Sequence, residues 1–259
     1  MDLGLSGRTA IICGSSAGLG RACAEALCAE GVNVVLNGRR EDVLADAVTA
    51  LSASATGTVT GVAADATTSE GISALVAACP APDIVVTNTI GPLPKAFGQI
   101  TNTEWEEVVR RNMIAPIELV RAVLPAMQEQ RFGRIINITS AMVTAPRPHM
   151  IASSGPRAGL TAVMKGLALE MARYNITIHN LLPERFDTDR QHQMALQTSA
   201  RESITYEEAR KRQVESIAAG RLGLPSEFGA TCAFLCSTHA GYMSGQNIHL
   251  DGGSYPALV

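Results

Sequence analysis

A chain of 259 residues with 46% hydrophobic and 17% charged side chains has the length and composition of a large globular α/β domain, and a disordered or fibrous protein is excluded. The formal net charge of -3 gives no electrostatic reason to expect nucleic acid or an anionic membrane surface as a partner. No apolar run reaches membrane-spanning length, and no basic segment followed by an apolar core opens the chain, so a cytoplasmic protein is expected.

Residues 9–13 form an apolar, strand-like run. The stretch Cys13-Gly14-Ser15-Ser16-Ala17-Gly18-Leu19-Gly20-Arg21 follows it and opens a pattern in which Leu19, Ala22, Cys23, Ala26 and Leu27 recur at helical spacing. Strand, glycine-rich turn and helix in this order is how an α/β protein holds a phosphate. The glycines let the backbone turn tightly, and the first helical turn offers unpaired N–H groups at the positive end of its dipole.

A second β-branched run at 32–36 ends in Asn37-Gly38-Arg39-Arg40, and 41–52 predicts a helix. A third strand at 58–64 stops at Asp65, a third helix is marked by Ile72, Leu75, Val76 and Cys79, and 84–86 reads as a fourth strand. This alternation implies βαβ units and a parallel sheet. After a loop at 88–102, Thr103 with Glu106 reads as a capping box, and the helix it starts is predicted to pass Asn112 towards Pro125, disturbed at Pro116. A strand at 134–138, a long apolar helix at 155–174 and a strand at 177–181 follow. The polar stretch 183–216 has no strand character and reads as a substrate lid; a helix at 226–236 and a strand at 246–250 complete one doubly wound domain over 1–259. The six cysteines form no Cys-x-x-Cys pair and no metal-ligand cluster, so they read as small buried thiols and no metal is expected.

Taken in order, these pieces resemble the short-chain dehydrogenase/reductases over essentially the whole chain. The spacing Gly14-x-x-x-Gly18-x-Gly20 is that family's variant of the dinucleotide fingerprint. Asp65 falls where the family sets an aspartate against adenine, with Ala66 after it. Thr87-Asn88-Thr89-Ile90-Gly91 stands in place of Asn-Asn-Ala-Gly, and Asn112 sits in the next helix. Ile136-Asn137-Ile138-Thr139-Ser140 is similar to the strand carrying the catalytic serine. Pro183 with Thr188 is similar to the stretch beside the nicotinamide, with Glu184 where the family has glycine, and Ser244-Gly245-Gln246 and Asp251-Gly252-Gly253 resemble the C-terminal signature.

The resemblance implies a Rossmann-type α/β fold that binds NADP(H) through Gly14, Ser15, Ser16, Gly18, Leu19, Gly20, Arg39, Asp65, Ala66, Asn88, Arg157 and Thr188. Gly38 takes the place of the acidic residue that usually holds the ribose hydroxyls of NAD. Arg39 and Arg40 follow it, and a guanidinium suits a 2′-phosphate, although such a pair also occurs as ordinary solvated turn residues. Asp65 likewise suits either adenine or a cap on the helix that follows it. The resemblance also implies a homo-oligomer, a dimer or tetramer, built on the long apolar helix and the helix of Trp105.

The pattern breaks at the chemistry. The family pairs a serine with Tyr-x-x-x-Lys, and Ser140 matches the serine. Aligning Arg157-Ala158-Gly159-Leu160 with Lys-Ala-Gly-Leu puts Arg157 on the lysine and Ser153 on the tyrosine. A serine hydroxyl is a far weaker acid than a phenol, and a guanidinium keeps its proton. Gly155-Pro156 suits a first helical turn, so the helix is expected to start there, with Ser153 or Ser154 as its N-cap and Ser153 serving structure.

The candidate catalytic set is therefore Asn112, Ser140, Ser153 and Arg157. His149, Tyr255, Ser140 itself, or a water held by Asn112 and Ser153 stand as alternative sources of the proton. His192 has a weaker case, and Tyr174 and Tyr242 read as packing residues. Phe97, Met142, Met150 and Phe186 suggest an apolar pocket for a small organic substrate. The expected activity is interconversion of a carbonyl and an alcohol (or a related C=N or C=C bond). The alternatives are a lyase-type enzyme on the same scaffold and a cofactor-binding protein without chemistry.

Overall fold

The computed structural model describes residues 1–258. Seven parallel strands are ordered β3-β2-β1-β4-β5-β6-β7: β1 (Thr9–Ile12), β2 (Asn33–Gly38), β3 (Val59–Ala63), β4 (Ile84–Thr87), β5 (Gly133–Ile138), β6 (Ile176–Pro183) and β7 (Gln246–Leu250). Helices α1 (Gly18–Ala29), α2 (Glu41–Ser52) and α9 (Pro225–Cys236) cover one face. The other is covered by α3 (Ser69–Ala78), α5 (Ala115–Gln130) and α6 (Ile151–Met171). Alternate strand residues feed the two cores: Ala10, Ile12, Ile84, Val86 and Ile136 go to the first, Ile11, Val85 and Ile135 to the second. Burial on both faces is why these strands read as continuous apolar runs. The chain order reverses between β1 and β4, opening a crevice at the carboxyl ends of the strands. All six cysteines are free and buried, and no helix among the described residues is long and apolar enough to cross a membrane.

Two local expectations need correction, at the capping box and at the start of α6, and two others take a definite form. The capping box before α4 (Asn102–Val109) is formed by Thr101 and Glu104, not Thr103 and Glu106: the Thr101 hydroxyl accepts from the Glu104 N–H and the Glu104 carboxylate from the Thr101 N–H. Both pairs have the right spacing, and the earlier one wins because Glu104 is also held by Lys95 at 2.6 Å. Thr101→Ala is expected to lower stability by about 1 kcal/mol, read by urea unfolding, whereas Thr103→Ala leaves it unchanged.

The disturbance at Pro116 takes the form of a π-turn, Arg110–Ile114, in which the Ala115 N–H reaches back to Arg110 O. That wider turn joins α4 to α5 without a break and carries Arg111 and Asn112.

Helix α6 begins at Ile151, so Ser153 lies inside its first turn and neither serine is the N-cap. The Ser153 and Ser154 N–H groups both donate to Met150 O. The usual restriction before proline is weakened at Gly155, which has no Cβ to clash with the Pro156 ring.

The polar stretch after β6 is two helices, α7 (Asp189–Glu202) and α8 (Tyr206–Glu215). Their buried residues are Gln191 and Ala195 in the first and Ala209 and Gln213 in the second, too few apolar side chains to produce a helical hydrophobic period.

Candidate functional site

A cavity of about 980 Å³ runs along the carboxyl ends of the strands, from the glycine turn to the start of α6. Its floor at one end is the turn after β1. Gly14 and Gly18 have φ of +54° and +60°, in the left-handed region, and a Cβ built on Gly18 meets nothing within 4 Å. Ala17 caps α1 with no side-chain hydrogen bond, and the first turn of α1 carries no acidic residue. The helix start is thus open, electropositive and accessible to a phosphate.

Two asparagines fix this turn. Asn88 Nδ2 donates to Gly14 O at 3.1 Å, while Asn37 accepts from the Gly14 N–H and donates to Val62 O and Ala64 O. Asn37 was not among the expected site residues; a polar side chain inside an otherwise apolar strand was the signal for it. The Ser15 side chain is buried, donating to Ile12 O and accepting from the Asn37 N–H, and Ser15 does not line the cavity. Ser16 and Leu19 line the wall.

Farther along, Arg39 and Arg40 are exposed on the wall, joined by Arg111 from the π-turn, and none of the three has an ion-pair partner among the described residues. Asp65 accepts from the Thr67 N–H and hydroxyl, with Ala66 beside it. Burial pushes its carboxyl up, but the Thr67 hydrogen bonds and the charges of Arg39 and Arg111 outweigh this and hold it below the ordinary aspartate value. Thr68, not Asp65, caps α3.

At the opposite end stand Ser140, Ser153 and Arg157. Ser140 Oγ accepts from the Met142 N–H at 3.2 Å, which leaves its own proton free to donate. Ser153 Oγ has no hydrogen-bond partner among the described residues. Arg157, one helical turn on, is buried and donates to Ile138 O at 3.0 Å and Thr89 O at 2.9 Å. Burial, reinforced by Arg190, pushes its guanidinium down to about 10, so it remains a cation at neutral pH. A Cβ on Gly91 would lie 3.4 Å from Ser153 Oγ and 3.6 Å from Arg157 Nη2, which places both groups at one point of the wall. Asn112 is buried behind this wall, accepting from the Thr89 hydroxyl and donating to Val108 O.

Thr188 lines the cavity as the N-cap of α7. His149, with φ +64°, and Met142, Met150 and Phe186 also line it, whereas Phe97 is exposed outside it. Tyr242 is fully exposed and does not pack, while Tyr174 packs against the second core. Tyr255 stacks on His249 in a separate small pocket. His192 bonds the Tyr206 hydroxyl on the α7–α8 pair.

A glycine-turn crevice at the switch point of a parallel sheet, ending in a serine just past β5, defines a dinucleotide-binding α/β protein. The profile of the family described as enoyl-(acyl carrier protein) reductase matches residues 14–255, and the chain belongs to that family, within the short-chain dehydrogenase/reductases. It is 30% identical over 253 residues to the 3-oxoacyl-(acyl carrier protein) reductase FabG of Salmonella typhimurium, covering 98% of this chain and 99% of that protein. It is 29% identical over 259 residues to the NADPH-dependent reductase BacG of Bacillus subtilis, covering 98% and 100%. Among solved structures, L-sorbose reductase from Gluconobacter frateurii, complexed with NADPH and L-sorbose, superimposes with a TM-score of 0.95 at 28% identity, covering 100% of both chains.

Proposed function

We propose that this protein is an NADP(H)-dependent oxidoreductase that interconverts a carbonyl and an alcohol on a small organic substrate. The observation that carries this reading is the single cavity joining the open glycine turn and the unpaired Arg39 to Ser140. The residues fit the cofactor. The uncapped start of α1 suits the diphosphate, Arg39 with Arg111 suits the 2′-phosphate, and Asp65 and Ala66 flank the adenine position. When bound, the nicotinamide supplies the hydride that reduces the carbonyl carbon.

The chain's own residues handle the oxygen. Ser140, whose Oγ already accepts from the Met142 N–H, donates its proton to the carbonyl oxygen. Ser153 and Arg157 stand where the family resemblance puts tyrosine and lysine. Arg157 stabilises the alkoxide as charge develops, and Ser153 passes it a proton while taking one from water, so the hydroxyl is regenerated. Carbonyl, reduced cofactor and one solvent proton thus give alcohol and oxidised cofactor. Helices α7 and α8 act as the lid, and the protein works as a homo-oligomer in the cytoplasm.

Consumption of NADPH with a panel of aldehydes and ketones tests this. Oxidation of the bound cofactor is expected; cofactor that binds but is never oxidised by any carbonyl marks a binding protein or a non-redox enzyme instead. Replacing Arg39 removes the cation beside the 2′-phosphate. Arg39→Asp is expected to weaken NADPH binding by about 10- to 100-fold while NADH binding holds or improves, measured by calorimetry.

A further inference from the structure

We propose that the carbonyl substrate carries a carboxylate, and that Arg190, with Arg157 beside it, binds that group; this rests on the oxidoreductase reading above. Arg190 is the second residue of α7 and projects from the lid across the cavity, where Nη2 donates to Pro92 O at 3.0 Å. That single contact leaves most of its N–H donors free. No carboxylate among the described residues lies within ion-pair distance of Arg190 or Arg157. Glu184 is already engaged by Arg147 at 2.7 Å and Arg185 at 3.5 Å, and Asp189 is exposed.

Two partly or wholly buried cations therefore share one wall without a counter-ion. Burial pushes both guanidiniums down, and Arg190 adds to the effect on Arg157. Desolvating like charges beside one another is unfavourable, and a bound anion relieves it. A guanidinium matches a carboxylate through paired, parallel hydrogen bonds, which a lysine ammonium does not.

Apart from the 2′-phosphate, which falls to Arg39 and Arg111, the cofactor's diphosphate is the anion that also enters the cavity. It has its own site at the glycine turn, and the two arginines sit elsewhere. Arg190 bonds Pro92, next to Gly91, whose Cβ position is 3.4 Å from Ser153 Oγ and 3.6 Å from Arg157 Nη2. The charges converge on the reacting end, where a substrate's acid group lies close to its carbonyl. The carboxylate takes no part in the bond changes; it fixes the orientation of the carbonyl towards Ser140 and Ser153.

The test uses acetoacetate and levulinate, each beside its methyl ester, with NADPH-saturated wild-type protein and Arg190→Gln, together with NADPH titrations of both. The acids are expected to exceed their esters in kcat/KM by about 10- to 100-fold in the wild type. Arg190→Gln should erase that preference through KM while leaving NADPH affinity unchanged. Esters reduced as well as acids, a preference that survives in Arg190→Gln, or no consumption of any acid by the NADPH-bound protein would each overturn the proposal. Weakened NADPH binding in Arg190→Gln would assign the arginine to the diphosphate instead. Failure of wild-type protein to bind NADPH at all would overturn the underlying oxidoreductase reading rather than this assignment alone.

Discussion

Gly20→Ala is expected to cost about 3 kcal/mol of stability and to abolish measurable NADPH binding. A Cβ at this position would lie 2.3 Å from Gly14 O and 2.8 Å from Asn88 Nδ2. The first of these atoms is backbone, and the second is the side chain that holds that same carbonyl. Neither yields without opening the turn, so the strain is relieved only by moving Gly14 and the start of α1 apart. For a chain of this size, roughly 2–4 °C per kcal/mol puts the fall in Tm near 10 °C. Gly98→Ala is the control, because a Cβ there meets nothing within 4 Å and the glycine lies outside the cavity. Thermal unfolding and a cofactor titration on the two variants check the contrast; equal behaviour would show that the tight turn is not what the site depends on.

Arg157→Met separates charge from packing. The substitution removes a donor from Ile138 O and Thr89 O, which is unfavourable, and removes a buried cation that no carboxylate balances, which is favourable. The two effects oppose each other, so Tm should move little. Activity should fall by about 100- to 1000-fold, the usual loss when a donor to a developing oxyanion is deleted. Arg157→Lys should recover part of it.

The pH profile distinguishes a charged role from a structural one. Burial brings the Arg157 guanidinium down to about 10, so kcat/KM should hold through neutral pH and fall as the pH rises past that value. A lysine in the same site starts from a lower ordinary pKa, about 10.4, and the same burial lowers it further, so the falling limb should move to lower pH. An unchanged profile in Arg157→Lys would contradict a charged role for Arg157.

The glycine turn, the alternation of strands and helices and the serine just past β5 were legible in the sequence because each is a local pattern: an apolar run, a turn residue at a fixed offset, a helical period. Helix α2 and strand β7 fall on their expected limits, 41–52 and 246–250, for the same reason. Helices α7 and α8 were not legible from periodicity, since a polar helix leaning on a cavity buries few apolar residues. Thr205 with Glu208 did offer a cap signal, and the Thr205 hydroxyl accepts from the Glu208 N–H. The start of α6 was misjudged because Pro156 was weighed without the missing Cβ of Gly155. Arg111, Arg190 and Asn37 were missed for another reason. They belong to the site through the fold, brought from a π-turn, a lid helix and a neighbouring strand, and of the three only Asn37, a polar residue in an otherwise apolar strand, carries a local signal.

The central claim is that the cavity holds NADP(H), and calorimetric titration of the purified protein with NADPH and, separately, with NADH tests it most directly. Tight NADPH binding with much weaker NADH binding is the predicted result, carried by the open start of α1 and by Arg39. Binding of neither nucleotide would contradict it.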